Sequence, residues 1–188
     1  ENLTGPGVFW NRVFEVESAE MEQIRFFRYG CMHCDEPPCA EACTENAIYK
    51  SADGIVLIDY EKCKGHKECI NACPYGVMDI HPEQTYFKEP LPFEEAPNGY
   101  RRHPPGKPSM CTLCTHRIQQ AKEPACVEAC PSNALIFGDL DDPASLIGEK
   151  KQKSEALLLH KGTKPKVTYI IPENINKQME KKSLGDKR

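Results

Sequence analysis

The stretch CMHCDEPPCAEACTENAIY (31–49) decides how the chain is read, because its grammar returns as CKGHKECINACPYGVMDI (63–80) and CTLCTHRIQQAKEPACVEACPSNALIF (111–137). Each copy opens on closely spaced cysteines, continues to a C-x3-C pair and ends in a turn and a short apolar run that predicts a strand. The C-x3-C cysteines stand at i and i+4, so one helical turn puts both sulfurs on the same face. Pro74 and Pro131 follow the last cysteine of the second and third copies, and Thr44 follows that of the first. Proline there stops the helix and directs the chain into the next segment. After the first copy, the turn-rich SADG (51–54) lies between β-branched runs and predicts a hairpin with 55–58.

An iron–sulfur cubane takes four ligands, usually thiolates, from different directions. A C-x2-C loop and a third cysteine wrap three corners, and a distant cysteine closes the fourth. In two-cluster ferredoxins the cysteine just before proline serves the other motif's cluster. The first two groups then predict one cluster on Cys31, Cys34, Cys39 and Cys73, and a second on Cys63, His66, Cys69 and Cys43. Residue 66 is histidine where the regular C-x2-C-x2-C-x3-C-P pattern has cysteine. Three readings stay open: His66 ligates one iron of a [4Fe-4S] cluster, it does not ligate and the site holds a [3Fe-4S] cluster, or the cluster is lost. As a ligand it raises the potential, because imidazole is neutral and thiolate anionic. The third group supplies Cys111, Cys114 and Cys126, with an insertion, THRIQQAKEPA, that predicts a surface helix and turn ending at Pro124. Its fourth ligand is unassigned, and Cys130 either closes that cluster or serves a further one. His33, His103 and His116 lie outside any open ligand position and are read as packing or hydrogen-bonding residues.

The rest of the chain fits a fold held by its cofactors. Of 188 residues 39% are apolar and 16 are proline, which leaves little for a large hydrophobic core. Eleven cysteines is an odd number, against a pure disulfide framework. Zinc ribbons use two C-x2-C pairs per metal, which these triplets with trailing C-x3-C ends match less well. A net charge of −4 without a basic stripe argues against nucleic-acid binding, and so against a zinc-bound nucleic-acid module. No charged-then-apolar leader and no run of 18 apolar residues is seen, so the chain reads as soluble, without a transmembrane segment. The expected fold class is α+β: tandem bacterial-type two-cluster ferredoxin-like modules with short hairpins and helices. Residues 1–30 form a strand region in which Trp10 is a packing anchor, and 31–81 a two-cluster module. Residues 82–110 form an insertion with seven prolines that is expected to wander over the surface. Residues 111–140 hold the third cysteine group as a second ferredoxin-like half. The extension 141–188 predicts a helix capped at Asp142 and Pro143, a strand over 166–171 and a frayed tail from 176.

The segments CMHCDEPPCAEAC, GIVLIDYEKCKG, NACPYG, CTLCTHRI, PACVEACPSNALIFGDL and KPKVTYI resemble the four-cluster ferredoxin-like subunits of molybdenum or tungsten bis-pterin oxidoreductases of the dimethyl sulfoxide reductase type. The likeness runs from about Phe26 to Ile171. It implies a non-catalytic electron-transfer subunit. Such a subunit carries three or four [4Fe-4S] clusters between a large molybdopterin catalytic subunit and a membrane anchor subunit or soluble electron carrier. Family members carry a further cysteine group ahead of a stretch similar to ENLTGPGVFWNRVFEVE, so the resemblance implies that Cys130 pairs with such a group. A naturally shortened relative with three clusters is the other reading. The position of His66 is one the family varies: nitrate reductase-like members have Trp there and a three-iron cluster. The compartment implied is cytoplasmic, or periplasmic by co-export with the catalytic subunit. A free-standing polyferredoxin is the competing expectation.

Overall fold

Alternation of apolar residues produces the first element. In the computed structural model, which describes residues 4–18, 23–84, 86–92, 94 and 102–170, β1 (Arg12–Ser18) pairs antiparallel with β2 (Gln23–Tyr29), Phe14 opposite Phe27. Side chains on a strand point alternately to the two faces. Phe14, Val16, Phe27 and Tyr29 therefore pack inward, with ring centroids 5.5 Å apart for Phe14–Phe27 and 5.4 Å for Phe14–Tyr29. The opposite face leaves Val13, Ile24 and Phe26 exposed.

The cysteine repeats follow as turns of helix joined to very short ladders. α1 (Pro38–Glu41) starts on proline, whose missing N–H has no partner to lose at a first helical position. β3 (Ile48–Lys50) and β4 (Val56–Ile58) form the expected hairpin. Its turn is closed by the Gly54 N–H donating to the Ser51 carbonyl at 2.9 Å, with Gly54 at a left-handed φ of 73°. α2 (Glu68–Ala72) leads into β5 (Asp79–Ile80), which pairs with β6 (Pro108–Ser109). α3 (Thr115–Ile118) and α4 (Ala125–Glu128) hold the third group, with Pro124 at the N-cap of α4. α5 (Leu146–Lys151) comes last. No helix among the described residues is long and apolar enough to cross a membrane.

Four expectations need correction. The end of the proline-rich insertion does not lie on the surface: His103, Pro108, Ser109 and Met110 are buried. His103 is held edge-on to Trp10 (4.8 Å) and Tyr60 (5.4 Å), and Trp10 Nε1 donates to Ser109 Oγ at 2.6 Å. These aromatic contacts outweigh the loop composition, while the middle of the insertion, 95–101, lies outside the described residues. The apolar run after Pro131 forms no strand among the described residues, for no ladder partner is presented to it. The C-terminal helix is shorter than its pattern and is capped by Ser145, whose Oγ accepts from the Gly148 N–H at 3.0 Å, not by Asp142. Beyond it Leu157 and Leu158 are pulled into the core. Finally, 166–170 makes a single bridge, Tyr169 with Glu155, rather than a strand. Residue 171 and the tail from 176 lie outside the described residues.

The last described segment acts instead as a strap. Lys164 and Thr163 carbonyls accept from the N–H groups of Asp35 (2.9 Å) and Glu36 (3.2 Å), and the Lys166 N–H donates to the Met32 carbonyl (2.9 Å). Lys166 Nζ also pairs with Asp35 at 3.1 Å. Where the strap crosses the second repeat, the Tyr75 hydroxyl shares a hydrogen bond with Thr163 Oγ1 (2.7 Å) and donates to the Leu157 carbonyl (3.3 Å). Tyr75→Phe leaves the buried Thr163 hydroxyl and Leu157 carbonyl without that partner, at a cost of about 1–3 kcal/mol. The midpoint of thermal unfolding is expected to fall. An unchanged midpoint would show that the strap is not fastened here.

Candidate metal centre

All eleven cysteines are free thiols, and eight are buried. The helices set their spacing: α1 carries Cys39 and ends two residues before Cys43, α2 carries Cys69 and ends on Ala72 with Cys73 as its C-cap, and α4 carries Cys126 ahead of Cys130. Each preceding loop holds residues in the left-handed region: His33 (φ 45°), Gly65 (80°) with Lys67 (68°), and Leu113 (50°) with Cys114 (51°). Turns of this kind gather successive backbone N–H groups into a nest for an anion, as at iron–sulfur sites. Gly30 precedes the first loop because nothing larger fits. A Cβ there would lie 2.5 Å from the Trp10 carbonyl oxygen and 2.6 Å from the Arg28 guanidinium.

The thiols act on one another across the repeat boundary. Burial pushes the Cys39 thiol up to about 12, and Cys73, Cys34 and Cys69 add to the shift. Burial likewise raises Cys31, reinforced by Cys111, Cys73 and Cys39, and raises Cys34, reinforced by Cys73. Cys73 of the second repeat thus acts on Cys31, Cys34 and Cys39 of the first. In the second set, burial and then Cys43 and Cys63 push Cys69 up to about 11. In the third, burial raises Cys111, with smaller contributions from Cys114 and Cys126. Cys31 Sγ lies 3.8 Å from Met110 Sδ, next to Cys111, and α1, which carries Cys39, packs on α2, which carries Cys69, so the Cys31 set lies between the other two.

Two of the sets border open space. Cys111, Cys114 and Cys126 line a cavity of about 250 Å³ together with Trp10, Asn11 and Thr112. Cys43, Cys63, Cys69 and His66 line another, with Thr44 and Glu68 on its wall. Among the described residues, no three or more His, Cys, Asp or Glu side chains gather closely enough to hold one metal ion. The four ligands of a cubane bind different irons and are spread more widely than the ligands of one tetrahedral zinc. Buried free thiols, nest-forming loops and spread sulfur sets therefore suit iron–sulfur clusters.

Groups far away in sequence complete the surroundings. Arg28 of β2 donates from its guanidinium to Cys111 Sγ at 3.4 Å and holds that thiol lower than burial alone would set it. Leu113 and Ala47 N–H groups donate to Cys111 Sγ (3.4 Å) and Cys43 Sγ (3.3 Å). No local spacing signal marks Arg28 or Thr163. His33 is fully enclosed, its imidazole lowered to about 3 by burial and then by Arg28 and Lys166, and its Nδ1 accepts from the Val56 N–H at 3.2 Å. Thr112 Oγ1 is buried without a hydrogen-bond partner among the described residues. Cys130 has a different setting from the buried thiols: its sulfur lies 3.6 Å from Ser132 Oγ.

The sequence matches the 4Fe-4S dicluster domain family over residues 22–90 and 91–140. It is 34% identical over 190 residues to a protein of Halobacterium salinarum provisionally named as an iron-sulfur subunit of dimethyl sulfoxide reductase, covering 92% of this chain and 71% of that one. Identity to a selenate reductase subunit of Mesobacillus selenatarsenatis is 37% over 188 residues (90% and 64%). With the arsenate respiratory reductase iron-sulfur subunit ArrB of Shewanella sp. it is 31% over 201 residues (90% and 86%). The chain belongs to the 4Fe-4S dicluster family of iron–sulfur electron-transfer subunits, those of the dimethyl sulfoxide reductase type. It spans less than two thirds of the length of the selenate reductase subunit.

The Cys130 thiol is lowered to about 7 by its hydrogen bond with Ser132 and by the Ala134 and Leu135 N–H groups. Thiolate is the nucleophile. A lowered pKa means that thiolate persists as pH falls from 9 toward 7 and is lost below it. Mass-mapped alkylation of the isolated chain is expected to mark Cys130 before Cys31 or Cys39, at a rate that drops as pH falls through about 7.

Proposed function

We propose that this chain conducts electrons between a molybdopterin catalytic subunit, with Mo or W, and a quinone-linked membrane subunit or a soluble carrier. It works in the cytoplasm, or in the periplasm after export with that subunit. The observation that carries the reading is the cavity that Cys43 of the first repeat lines together with Cys63 and Cys69 of the second, alongside the electrostatic coupling of Cys34 and Cys39 to Cys73. It supports the ligand exchange of two-cluster ferredoxins, and with it a tandem of ferredoxin-like modules. In this reading Cys31, Cys34, Cys39 and Cys73 hold one [4Fe-4S] cluster, and Cys43, Cys63 and Cys69 hold three corners of a second. Cys111, Cys114 and Cys126 hold three corners of a third. Cys130 serves a further cluster or closes the third.

Once bound, the clusters supply one-electron redox chemistry; the chain supplies thiolates, N–H donors and shelter from water. The central position of the Cys31 set gives an electron a stepwise route from the Cys111 side to the Cys69 side, or the reverse. The names of the similar proteins, as subunits of selenate and arsenate reductases, support a catalytic partner.

The test is anaerobic purification from its native host. Broad visible absorption, about four irons per complete ligand set and co-purification of a large pterin-containing chain are expected. A colourless chain containing only zinc would refute the reading. A second measurement concerns Arg28. A cation 3.4 Å from Cys111 Sγ favours the more negative, reduced cluster, so Arg28→Met is expected to lower the midpoint potential of the cluster at Cys111 and leave that at Cys31 nearer its original value. Redox titration followed by electron paramagnetic resonance reads both.

A further inference from the structure

Two of the places where the cysteine repeats break their own pattern meet in space. His66 occupies the loop position that Cys34 and Cys114 fill in the other copies, and Thr44 occupies the position that Pro74 and Pro131 fill. They are 22 residues apart in sequence, yet Thr44 Oγ1 lies 3.3 Å from His66 Nδ1. The same hydroxyl donates to Glu68 Oε2 at 3.5 Å. A hydroxyl has one proton. With that proton directed at Glu68, Oγ1 accepts from His66, so the imidazole proton resides on Nδ1 and the lone pair on Nε2. Glu45 Oε1, 3.9 Å from Nδ1, favours the same tautomer. Proline at position 44 offers no hydroxyl.

A histidine that binds a metal through one nitrogen typically donates its other N–H to an oxygen that fixes the ring and its tautomer. The His66 ring is about half exposed, at 49%, so these polar contacts, more than packing, hold its orientation. It borders the cavity that Cys43, Cys63 and Cys69 also line. We infer that His66 is the fourth ligand of the second cluster, through Nε2, and that Thr44, backed by Glu68 and Glu45, is its positioning residue. The inference rests on the iron–sulfur reading proposed above. Replacing thiolate by neutral imidazole removes one negative charge from the cluster's surroundings and raises its potential. The paired departures then belong to one adaptation: the first copy gives up its proline so that the second can use a histidine.

The test uses the full chain as isolated with its clusters and partner subunit. Pulsed electron paramagnetic resonance of the reduced protein, with and without 15N-histidine, is expected to show a histidine nitrogen coupled to one cluster. His66→Cys loses that coupling and shifts that cluster's midpoint to a lower potential. Thr44→Val is expected to weaken the coupling or convert part of the site to a three-iron form, and Thr44→Ser to retain it. The labelled wild-type measurement needs no substitution, so a variant that fails to assemble does not remove the test. An oxidised three-iron signal from this site in the wild type, absence of nitrogen coupling, or a His66→Cys potential equal to wild type overturns the assignment. Thr44→Val indistinguishable from wild type overturns the positioning role. If iron–sulfur absorption persists while these outcomes fail, only the His66 inference falls; absence of all iron–sulfur signals removes the underlying reading instead.

Discussion

The structure depends on a cost that the polypeptide cannot meet with its own atoms. Sulfurs that would be ionised as metal ligands are buried side by side, and burial together with mutual repulsion drives their protonation equilibria toward the neutral thiol. Iron supplies the positive charge that makes the thiolate form favourable in such surroundings, so metal binding adds to the free energy of folding. The cysteines are themselves core residues, grouped with Met32, Tyr29, Tyr75 and Leu157. Among the described residues the helices are short and the ladders two-stranded, so the sulfur sets sit within the same small core as these aromatic and aliphatic side chains.

What the sequence made legible and what it did not divide along range. The cysteine groups, their helical turns and the hairpin at 48–58 are dictated by neighbours within a few residues, and these were readable. The proposed exchange of Cys73 and Cys43 draws on ferredoxin geometry, which links motifs at a distance. Arg28 comes to a sulfur set, and Thr163 and Lys166 to the first cysteine loop, from other segments, and none of them carries a local spacing signal. Composition misled where tertiary contacts dominate. Within proline-rich 102–110, His103 and residues 108–110 are held inside against Trp10 and Tyr60, and the leucines at 157 and 158 extend no helix because the core takes them.

The irregularities of the repeat were visible one at a time as sequence departures, but their relation was not. Thr44 reads as a missing proline and His66 as a missing cysteine, two unrelated losses, until their side chains are found in contact. An internal repeat thus serves as its own control. Positions where all copies agree report the shared scaffold, and positions where single copies differ report what each site has been shaped to do.

The strap formed by 163–167 lies against the first cysteine loop, more than a hundred residues earlier in the chain. Protein synthesis runs from the N-terminus, so the residues that cover the loop of Cys31 and Cys34 leave the ribosome well after the loop itself. Until then that loop has no cover from this end of the chain. The order of translation itself leaves an interval in which iron and sulfide can reach the central site before the peptide closes over it.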